Sequence, residues 1–260
     1  MTHYTPAQVP LLEFDPNPRA FINADEHYFP LDIPSTLVFC FFHEVISKLV
    51  NDGIARQVHA LRSEMGAHPL YVIRLIDGAE VCLMHPGVGA PLSAALLEEA
   101  IGHGIRTVVA VGGAGALHEE LTLGHVVVPT KALRDEGTSY HYVAPSRWIE
   151  AQPHATAVIT AILDTHQIPY VTGATWTTDA FYRETRAKIV QRRAEGCLTV
   201  EMENAALLAV AQLRGITMGQ ILYSGDDLSG VEWDSRSWSS HGSLREQLTY
   251  IAAEAANALR

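Results

Sequence analysis

The sequence predicts a single α/β domain whose central sheet is covered on both faces. From residue 36 onward, short apolar runs alternate with amphipathic stretches of helical length, which is the pattern of βαβ units. The apolar runs are rich in valine and do not alternate strictly with polar residues, as expected for strands buried on both sides. The chain of 260 residues carries no internal repeat or low-complexity tract, so it can bury one large core.

The first 35 residues differ from this domain by their proline content. Prolines stand at positions 6, 10, 16, 18, 30 and 34, and no hydrophobic periodicity accompanies them. We therefore expect residues 1–35 to form an arm that lies over the domain or over a neighbouring subunit. Residues 36–260 are expected to form the domain itself.

Apolar patterns and turn residues delimit the elements in the first half of the domain. The continuous apolar run at 36–42 predicts a buried strand, and the amphipathic stretch after it predicts a helix that ends at Gly53. The dipeptide Asp77-Gly78 between two apolar runs predicts a turn between paired strands. A stripe of apolar positions before Gly104 predicts a second helix. The predicted elements are a strand at 36–42, a helix at 43–52, strands at 70–76 and 80–85, a helix at 91–103 and a strand at 107–112.

The second half continues this alternation of strands and helices. Gly196 and Gly215 each follow an amphipathic stretch and predict the end of a helix. The C-terminal stretch places Leu244, Leu248 and Ile251 on one stripe, which predicts a long amphipathic helix. The predicted elements are strands at 124–129, 169–175, 197–201 and 216–224, and helices at 153–166, 182–195, 203–214 and 241–260.

The charge balance excludes several classes of partner. The chain has 18 Lys and Arg against 29 Asp and Glu, for a formal net charge of −11. Such a chain does not bind nucleic acid by neutralising phosphates, and it carries no polybasic surface for a membrane. Hydrophobic residues make up 48% of the chain, which is ordinary for a globular protein. We expect a small-molecule partner.

The cysteines and the N-terminus predict a cytoplasmic protein. Cys40, Cys82 and Cys197 form no C-x-x-C pair and lie in or beside apolar runs, as expected for buried thiols in a reducing compartment. No basic segment followed by an apolar one opens the sequence, so we expect no secretory signal. The apolar run at 37–42 is far shorter than the ~20 residues that span a bilayer.

A glycine-rich segment follows the strand predicted at 107–112. Small residues in Val111-Gly-Gly-Ala-Gly-Ala116 would let a ligand approach the backbone closely. The dinucleotide fingerprint fails, because His118 stands where its third glycine is required. A dinucleotide-binding oxidoreductase is therefore not expected. A tight structural turn and a cradle for an anion or a ribose both remain open.

Two acidic pairs stand where predicted strands end. Glu201 and Glu203 lie at a strand-to-helix junction, where α/β folds place ligands. The alternative for Glu203 is a carboxylate that stabilises the start of a helix. Asp226 and Asp227 follow the last predicted strand and suggest an acid, a metal ligand or a turn. No motif of metal-binding spacing accompanies them, so we expect no metal.

Six segments, taken together and in order, resemble the nucleoside phosphorylase-I family. This family contains purine nucleoside and uridine phosphorylases and methylthioadenosine-type nucleosidases. The resemblance covers residues 37–259, and the Val-Glu-Met-Glu segment is the most specific part of it. The segments are His85-Pro-Gly-Val-Gly-Ala-Pro91, Val108-Val-Ala-Val-Gly-Gly-Ala-Gly-Ala-Leu117, Leu123-Gly-His-Val-Val-Val-Pro129, Thr178-Asp-Ala-Phe-Tyr182, Val200-Glu-Met-Glu203 and Ser224-Gly-Asp226.

The resemblance implies an α/β domain with a mixed, partly barrel-like central sheet flanked by helices, and cleavage of a nucleoside N-glycosidic bond. It implies that Glu203 binds the ribose hydroxyls and stabilises the positive charge that develops on the sugar. Met202 would pack against the ribose and Phe181 against the base. Asp226, or Asp227 after a shift of one residue, would protonate or hydrogen-bond a purine. The remaining residues expected to bind substrate are Gly89, Gly112, Gly113, Ala114 and Glu201.

The chain departs from the phosphorylases at the glycine-rich segment. Ala110 stands in place of their arginine and Gly113 in place of their phosphate-binding hydroxyl. Backbone amides at 112–115 could still form an anion nest. An arginine from elsewhere could also bind phosphate, and the candidates considered are Arg19, Arg62 and Arg74.

The sequence does not decide whether phosphate or water attacks the glycosidic bond. Glu44 matches a glutamate that positions the attacking water in the nucleosidases, although it also suits a solvent-facing carboxylate in the first turn of a helix.

The uridine-reading Gln and Arg pattern is not reproduced at 183–186, and Asp226 favours a purine. We expect a phosphorylase with phosphate as co-substrate and no other cofactor.

Two alternatives to a phosphorylase remain, and the resemblance also implies an oligomer. The chain could be a nucleosidase that uses water activated by Glu44, or a nucleoside-binding protein without turnover. The family resemblance implies a homodimer or a hexamer. The polar stretch 230–242, which contains Trp233 and Trp238, predicts a flexible lid or a surface loop.

Overall fold

A computed structural model describes residues 8–238 and 242–260. Within these residues, ten strands form one sheet and seven α-helices flank it. The strands are β1 (Thr36–Cys40), β2 (Arg56–Ser63), β3 (Gly66–Arg74), β4 (Glu80–Met84), β5 (Thr107–Ala116), β6 (Val126–Asp135), β7 (Trp148–Glu150), β8 (Tyr170–Thr178), β9 (Cys197–Glu201) and β10 (Thr217–Asp227). The helices are α1 (Ala24–His27), α2 (His43–Asn51), α3 (Ala90–Gly102), α4 (Pro153–Thr165), α5 (Arg186–Ala194), α6 (Asn204–Arg214) and α7 (Gly242–Ala258).

Five of the strands close into a barrel. The order β10-β6-β8-β9-β5 is completed by pairing of β5 with β10, and β1, β4, β3 and β2 extend the sheet from β5. The sheet is mixed, since β5 is parallel to β10 and antiparallel to β9. The predicted single α/β domain with a partly barrel-like, mixed sheet is confirmed.

The sheet is buried on both faces, as the continuous apolar runs predict. Adjacent residues of β1 enter different cores: Val38 packs in the core that contains α2, α4 and α7, and Leu37 in the core that contains α3 and α6. All five residues of β1 are buried. Burial also raises the pKa of the Cys82 thiol to about 12, and all three cysteines are buried and free.

The N-terminal arm packs along the domain over the part that the structure describes. Tyr28 lies against Gly102 of α3, and the backbone of Leu31 donates to the carbonyl of His103 at 3.0 Å. Arg214 donates to the carbonyl of Pro18 at 2.9 Å. Among the described residues, no helix combines the length and the apolar character that a membrane span requires.

Two predicted elements differ from the structure in ways that shape the site, and one edge strand was not predicted. The glycine-rich segment was predicted to follow a strand, but β5 continues through it to Ala116 because β10 pairs with it. The helix predicted at 182–195 is wrong at its start, since Phe181–Arg183 forms a 3₁₀ turn and α5 begins at Arg186 after the capping residue Thr185. Strand β2 was missed because it is a largely exposed edge strand without a continuous apolar run.

Candidate active site

A cleft of about 890 Å³ opens where β5, β9 and β10 end. That volume is in the range of small-molecule sites. Most of the predicted site residues line it: Gly112, Gly113, Ala114, Phe181, Glu201, Met202, Glu203 and Asp226. The topology brings them together, because β10 is the parallel neighbour of β5 and the β9–α6 junction lies beside the end of β5.

Glu203 is a buried carboxylate in the wall of the cleft. Its Oε1 accepts a hydrogen bond of 2.6 Å from the backbone N–H of Gly89, and its Oε2 accepts one of 3.3 Å from that of Met202. Burial and repulsion from Glu201 raise the pKa of Glu203 to about 8. Gly89 does not line the cleft, but its φ of +91° turns its N–H toward Glu203 and favours glycine there.

Glu201 performs the helix-start role that the sequence left open for Glu203. Its Oε2 accepts hydrogen bonds from the backbone N–H groups of Glu203 and Asn204 at 2.8 and 2.6 Å. Its Oε1 accepts one of 2.6 Å from the Thr177 hydroxyl. Burial raises the pKa of Glu201 to about 7 despite these donors. Glu201 therefore holds the first turn of α6 in place, which leaves Glu203 to face the cleft.

Asp226 lies at the other side of the cleft beside a second carboxylate. Its Oδ2 accepts a hydrogen bond of 2.7 Å from the indole N–H of Trp233. Burial and the charge of Asp226 raise the pKa of Glu184, which also lines the cleft, to about 7. Sequence reasoning missed Glu184 because it placed this residue inside a helix, whereas the chain there is the link between the 3₁₀ turn and α5.

The glycine-rich segment is extended strand, which corrects the tight-turn reading. A side chain at Gly112 would approach Phe41 to 2.9 Å, and one at Gly115 would approach Leu228 to 2.5 Å. These two glycines therefore permit close packing. Gly113 is exposed toward the cleft, with open space around it. Pairing with β1 ends at Val111, so the segment offers a strand edge and not a nest of successive amides.

Asp227 and Glu44 are not among the residues that line the cleft. Asp227 is held by Arg236 at 2.5 Å and by the backbone N–H of Ser229 at 2.7 Å. Its carboxylate therefore stabilises the loop after β10. Glu44 lies in the first turn of α2 and forms an ion pair with Arg245 of α7.

The three arginines considered for phosphate do not line the cleft. Arg19 pairs with Asp25 in the N-terminal arm, and Arg74 pairs with Glu80 at an exposed strand end. Arg62 is an exposed residue of the edge strand β2. The structure instead brings Arg186 and Arg245 to the cleft. Arg186 donates to the carbonyl of Gly230 at 2.6 Å and so ties α5 to the segment after β10.

Arg245 is almost completely buried, with 3% of its surface exposed. Its guanidinium carbon lies 4.3 Å from the ring centre of Phe42, 5.9 Å from that of Tyr223 and 5.4 Å from that of Trp238. The sequence pattern of α7 indicates the burial of Arg245. Arg245 shares the buried stripe of α7 with Leu248 and Thr249, a position where an unpaired surface charge is not expected.

The segment after β10 covers part of this cleft, as the lid prediction requires. Gly230, Glu232, Trp233 and Trp238 all line it. Residues 239–241 of the predicted lid lie outside the described residues.

Comparison with known proteins places the chain in a family. A family model described as the phosphorylase superfamily matches residues 37–259. Guanosine phosphorylase of Halorubrum lacusprofundi is 28% identical over 145 residues, which are 56% of this chain and 60% of that protein. Uridine phosphorylase of Salmonella typhimurium is 28% identical over 162 residues, which are 56% of this chain and 63% of that protein. The chain thus spans about three fifths of the length of these relatives.

A solved structure shares the fold over most of its length. The uridine phosphorylase of Vibrio fischeri ES114 superposes with a TM-score of 0.72 at 22% identity, covering 88% of this chain and 94% of that one. This likeness supports the barrel topology.

Proposed function

The chain belongs to the phosphorylase superfamily, and we propose that it is a nucleoside phosphorylase that transfers the pentosyl group of a purine nucleoside to phosphate. The observation that carries this proposal is the placement of Glu203, Met202 and Asp226 in one cleft of about 890 Å³. A cleft of that size accommodates a nucleoside. The residues at its two sides suit the two charges that form when the bond between C1′ and the base breaks.

The ribose end of the site is built around Glu203. The developing oxocarbenium ion carries positive charge, and a buried carboxylate that accepts hydrogen bonds from sugar hydroxyls stabilises this charge. The backbone N–H groups of Gly89 and Met202 fix the orientation of the carboxylate before substrate arrives. Such preorganisation lowers the barrier without reorganisation during the reaction.

The base end contains Phe181, Asp226 and Glu184. A departing purine gains negative charge and needs a proton or a hydrogen-bond donor, which the protonated form of Asp226 supplies in the proposed reaction. Trp233 holds Asp226 in place. The aromatic ring of Phe181 offers a face on which the base stacks. We assign the base as a purine because Asp226 stands at the position that protonates or hydrogen-bonds a purine in the family that the sequence resembles.

We expect kcat/KM to be bell-shaped in pH: ionisation of Glu203, which has a pKa of about 8, raises it, and ionisation of Glu184, which has a pKa of about 7 in the folded chain, lowers it. Protonated Glu184 is neutral beside the departing base, whereas its ionised form repels a leaving group that is gaining negative charge. Glu184→Gln is neutral at every pH and should retain activity at pH 8 to 9. The measurement is the pH–rate profile of both proteins. An identical descending limb in the variant would show that another group causes the loss.

Phosphate is the acceptor that the structure supports better. Glu44 forms an ion pair with the buried Arg245, so its carboxylate is occupied and poorly placed to activate water. The same pair brings a cation to the wall of the cleft, where a dianion would bind. Both features favour phosphorolysis over the hydrolytic alternative.

A turnover assay on guanosine, inosine, adenosine and uridine with phosphate tests the proposal. A nucleoside phosphorylase releases the free base and forms a pentose 1-phosphate in equal amounts. We expect the purine nucleosides to be the better substrates. Binding of a nucleoside without base release would instead support the non-catalytic alternative, and faster cleavage of uridine would contradict the assignment of the base.

A further inference from the structure

The guanidinium of Arg245 has hydrogen-bonding capacity that the described protein leaves unused. It carries five N–H donors, and within residues 8–238 and 242–260 the acceptor of one of them is Glu44. The Nε of Arg245 is buried and has no partner in this part of the chain. A buried charge normally has its donors satisfied, because an unmet donor loses hydration without compensation. The unused donors therefore indicate that a ligand supplies an acceptor.

A second unsatisfied group lines the same cleft. Gln220 is 5% exposed, and its Oε1 has no hydrogen-bond partner in the described part of the chain. Its strand register places it directly beside Ala110 of β5. The small side chain of Ala110 occupies little of the space next to the amide. An anion would be bound by the NH₂ group of this amide, which rotation of the amide by about 180° brings to the position of the oxygen.

The surroundings of Arg245 fix the orientation of its planar head. The rings of Phe42, Tyr223 and Trp238 lie around the guanidinium, and the Tyr223 hydroxyl donates to the carbonyl of Trp238 at 3.0 Å. The ion pair with Glu44 fixes one edge of the guanidinium. A guanidinium held in this way binds tetrahedral oxyanions through two parallel hydrogen bonds.

We propose that Arg245 and Gln220 form the subsite for the tetrahedral oxyanion that accepts the pentosyl group, with Glu44 as the counterion of Arg245 when no oxyanion is bound. This inference rests on the proposed function for the identity of the anion, which is inorganic phosphate. The cation of the acceptor subsite then comes from α7. Arg245 takes the place of the arginine and the hydroxyl that the phosphorylases have where this chain has Ala110 and Gly113.

Glu44 has the opposite effect on the anion from Arg245. Its negative charge balances the guanidinium when no phosphate is bound and repels a phosphate dianion when one arrives. Glu44 is half exposed, with 49% of its side chain accessible, so water and salt screen this repulsion. Removing the charge should therefore tighten phosphate binding only severalfold.

The test compares Arg245→Met with Arg74→Met, which removes a guanidinium from an exposed strand end outside the cleft. We expect Arg245→Met to raise the Kd for inorganic phosphate, measured by calorimetry, and the KM for phosphate by about 10- to 100-fold. The KM for the nucleoside should change less than threefold. Arg74→Met should match the wild type in all three quantities, and Glu44→Gln should lower the KM for phosphate.

The second variant Arg245→Lys guards against a folding defect in Arg245→Met. It keeps the charge and loses the planar fork, so an intermediate rise in the Kd for phosphate is expected. Wild-type affinity for phosphate in a folded Arg245→Met or Arg245→Lys protein overturns the inference, even if the enzyme is a phosphorylase. Phosphate binding that depends on Arg245, without any base release from nucleosides, would retain the oxyanion subsite and refute the proposed function.

Discussion

Replacing Glu203 with glutamine is expected to lower kcat by about two orders of magnitude or more. The buried carboxylate is the group that faces the positive charge of the transition state, and the amide of glutamine cannot supply that charge. Glutamine has nearly the same shape, so its amide oxygen retains the hydrogen bond of 2.6 Å from the backbone of Gly89, and only the longer bond of 3.3 Å from that of Met202 is lost. The measurement is single-turnover base release from a purine nucleoside at saturating phosphate.

The same substitution should stabilise the fold, which separates a catalytic loss from a folding defect. The pKa of Glu203 is raised to about 8 in the folded chain, from an ordinary 4.5. The folded state therefore binds this proton more tightly than the unfolded state, and stability is lost as the pH rises from about 4.5 through about 8. We expect Glu203→Gln to raise Tm by a few degrees at pH 8.5 and less at pH 5.

A matched control is available in Glu201. Its carboxylate accepts hydrogen bonds from the backbone of Glu203 and Asn204, so Glu201→Gln should weaken the start of α6. Its Tm gain should accordingly be smaller than that of Glu203→Gln. Near-wild-type turnover by a folded Glu203→Gln protein would remove Glu203 from the mechanism.

Replacing Asp226 with asparagine is expected to lower the cleavage rate of an ordinary purine nucleoside by roughly two orders of magnitude. Asparagine can accept the hydrogen bond from Trp233 but cannot transfer a proton to the departing base. A nucleoside with an activated leaving group needs no such proton, so its cleavage should fall less than tenfold. The measurement is the ratio of the two rates in each protein.

The neighbouring carboxylate gives the control for this ratio. Asp227 is held by Arg236 and by the backbone of Ser229, outside the residues that line the cleft. Asp227→Asn should therefore leave the ratio between the two leaving groups unchanged, whatever its effect on stability. Equal losses on both substrates in Asp226→Asn would show that Asp226 does not act on the base.

The sequence predicts the parts of this fold that are set by local pattern. Strand β9 was predicted with its observed bounds, Cys197–Glu201, because a compact apolar run is bounded by Gly196 and by the polar start of a helix. The both-face burial of the sheet follows from runs such as that in β1. The closure of the barrel does not follow from pattern, because it depends on pairing of β5 with β10, more than 100 residues apart.

Some residues of the candidate site could likewise be predicted from local sequence pattern, and others could not. Glu203, Met202 and Asp226 stand beside strand ends, so their placement in one cleft could be predicted once a parallel sheet was expected. Glu184 and Arg245 enter the cleft through tertiary packing. Glu184 does so because the chain breaks before α5, and Arg245 because α7 lies against β1 and β5. No local sequence pattern predicts either contact, although the charge of Arg245 on the apolar stripe of α7 indicated that this residue is unusual.

The phosphate requirement of base release tests the central claim most directly. Wild-type protein and Glu44→Gln are incubated with a purine nucleoside in buffer with and without phosphate, and the sugar product is identified. We predict that both proteins release base only with phosphate and form pentose 1-phosphate. Release in phosphate-free buffer with free pentose as product, abolished by Glu44→Gln, would contradict the account and establish hydrolysis.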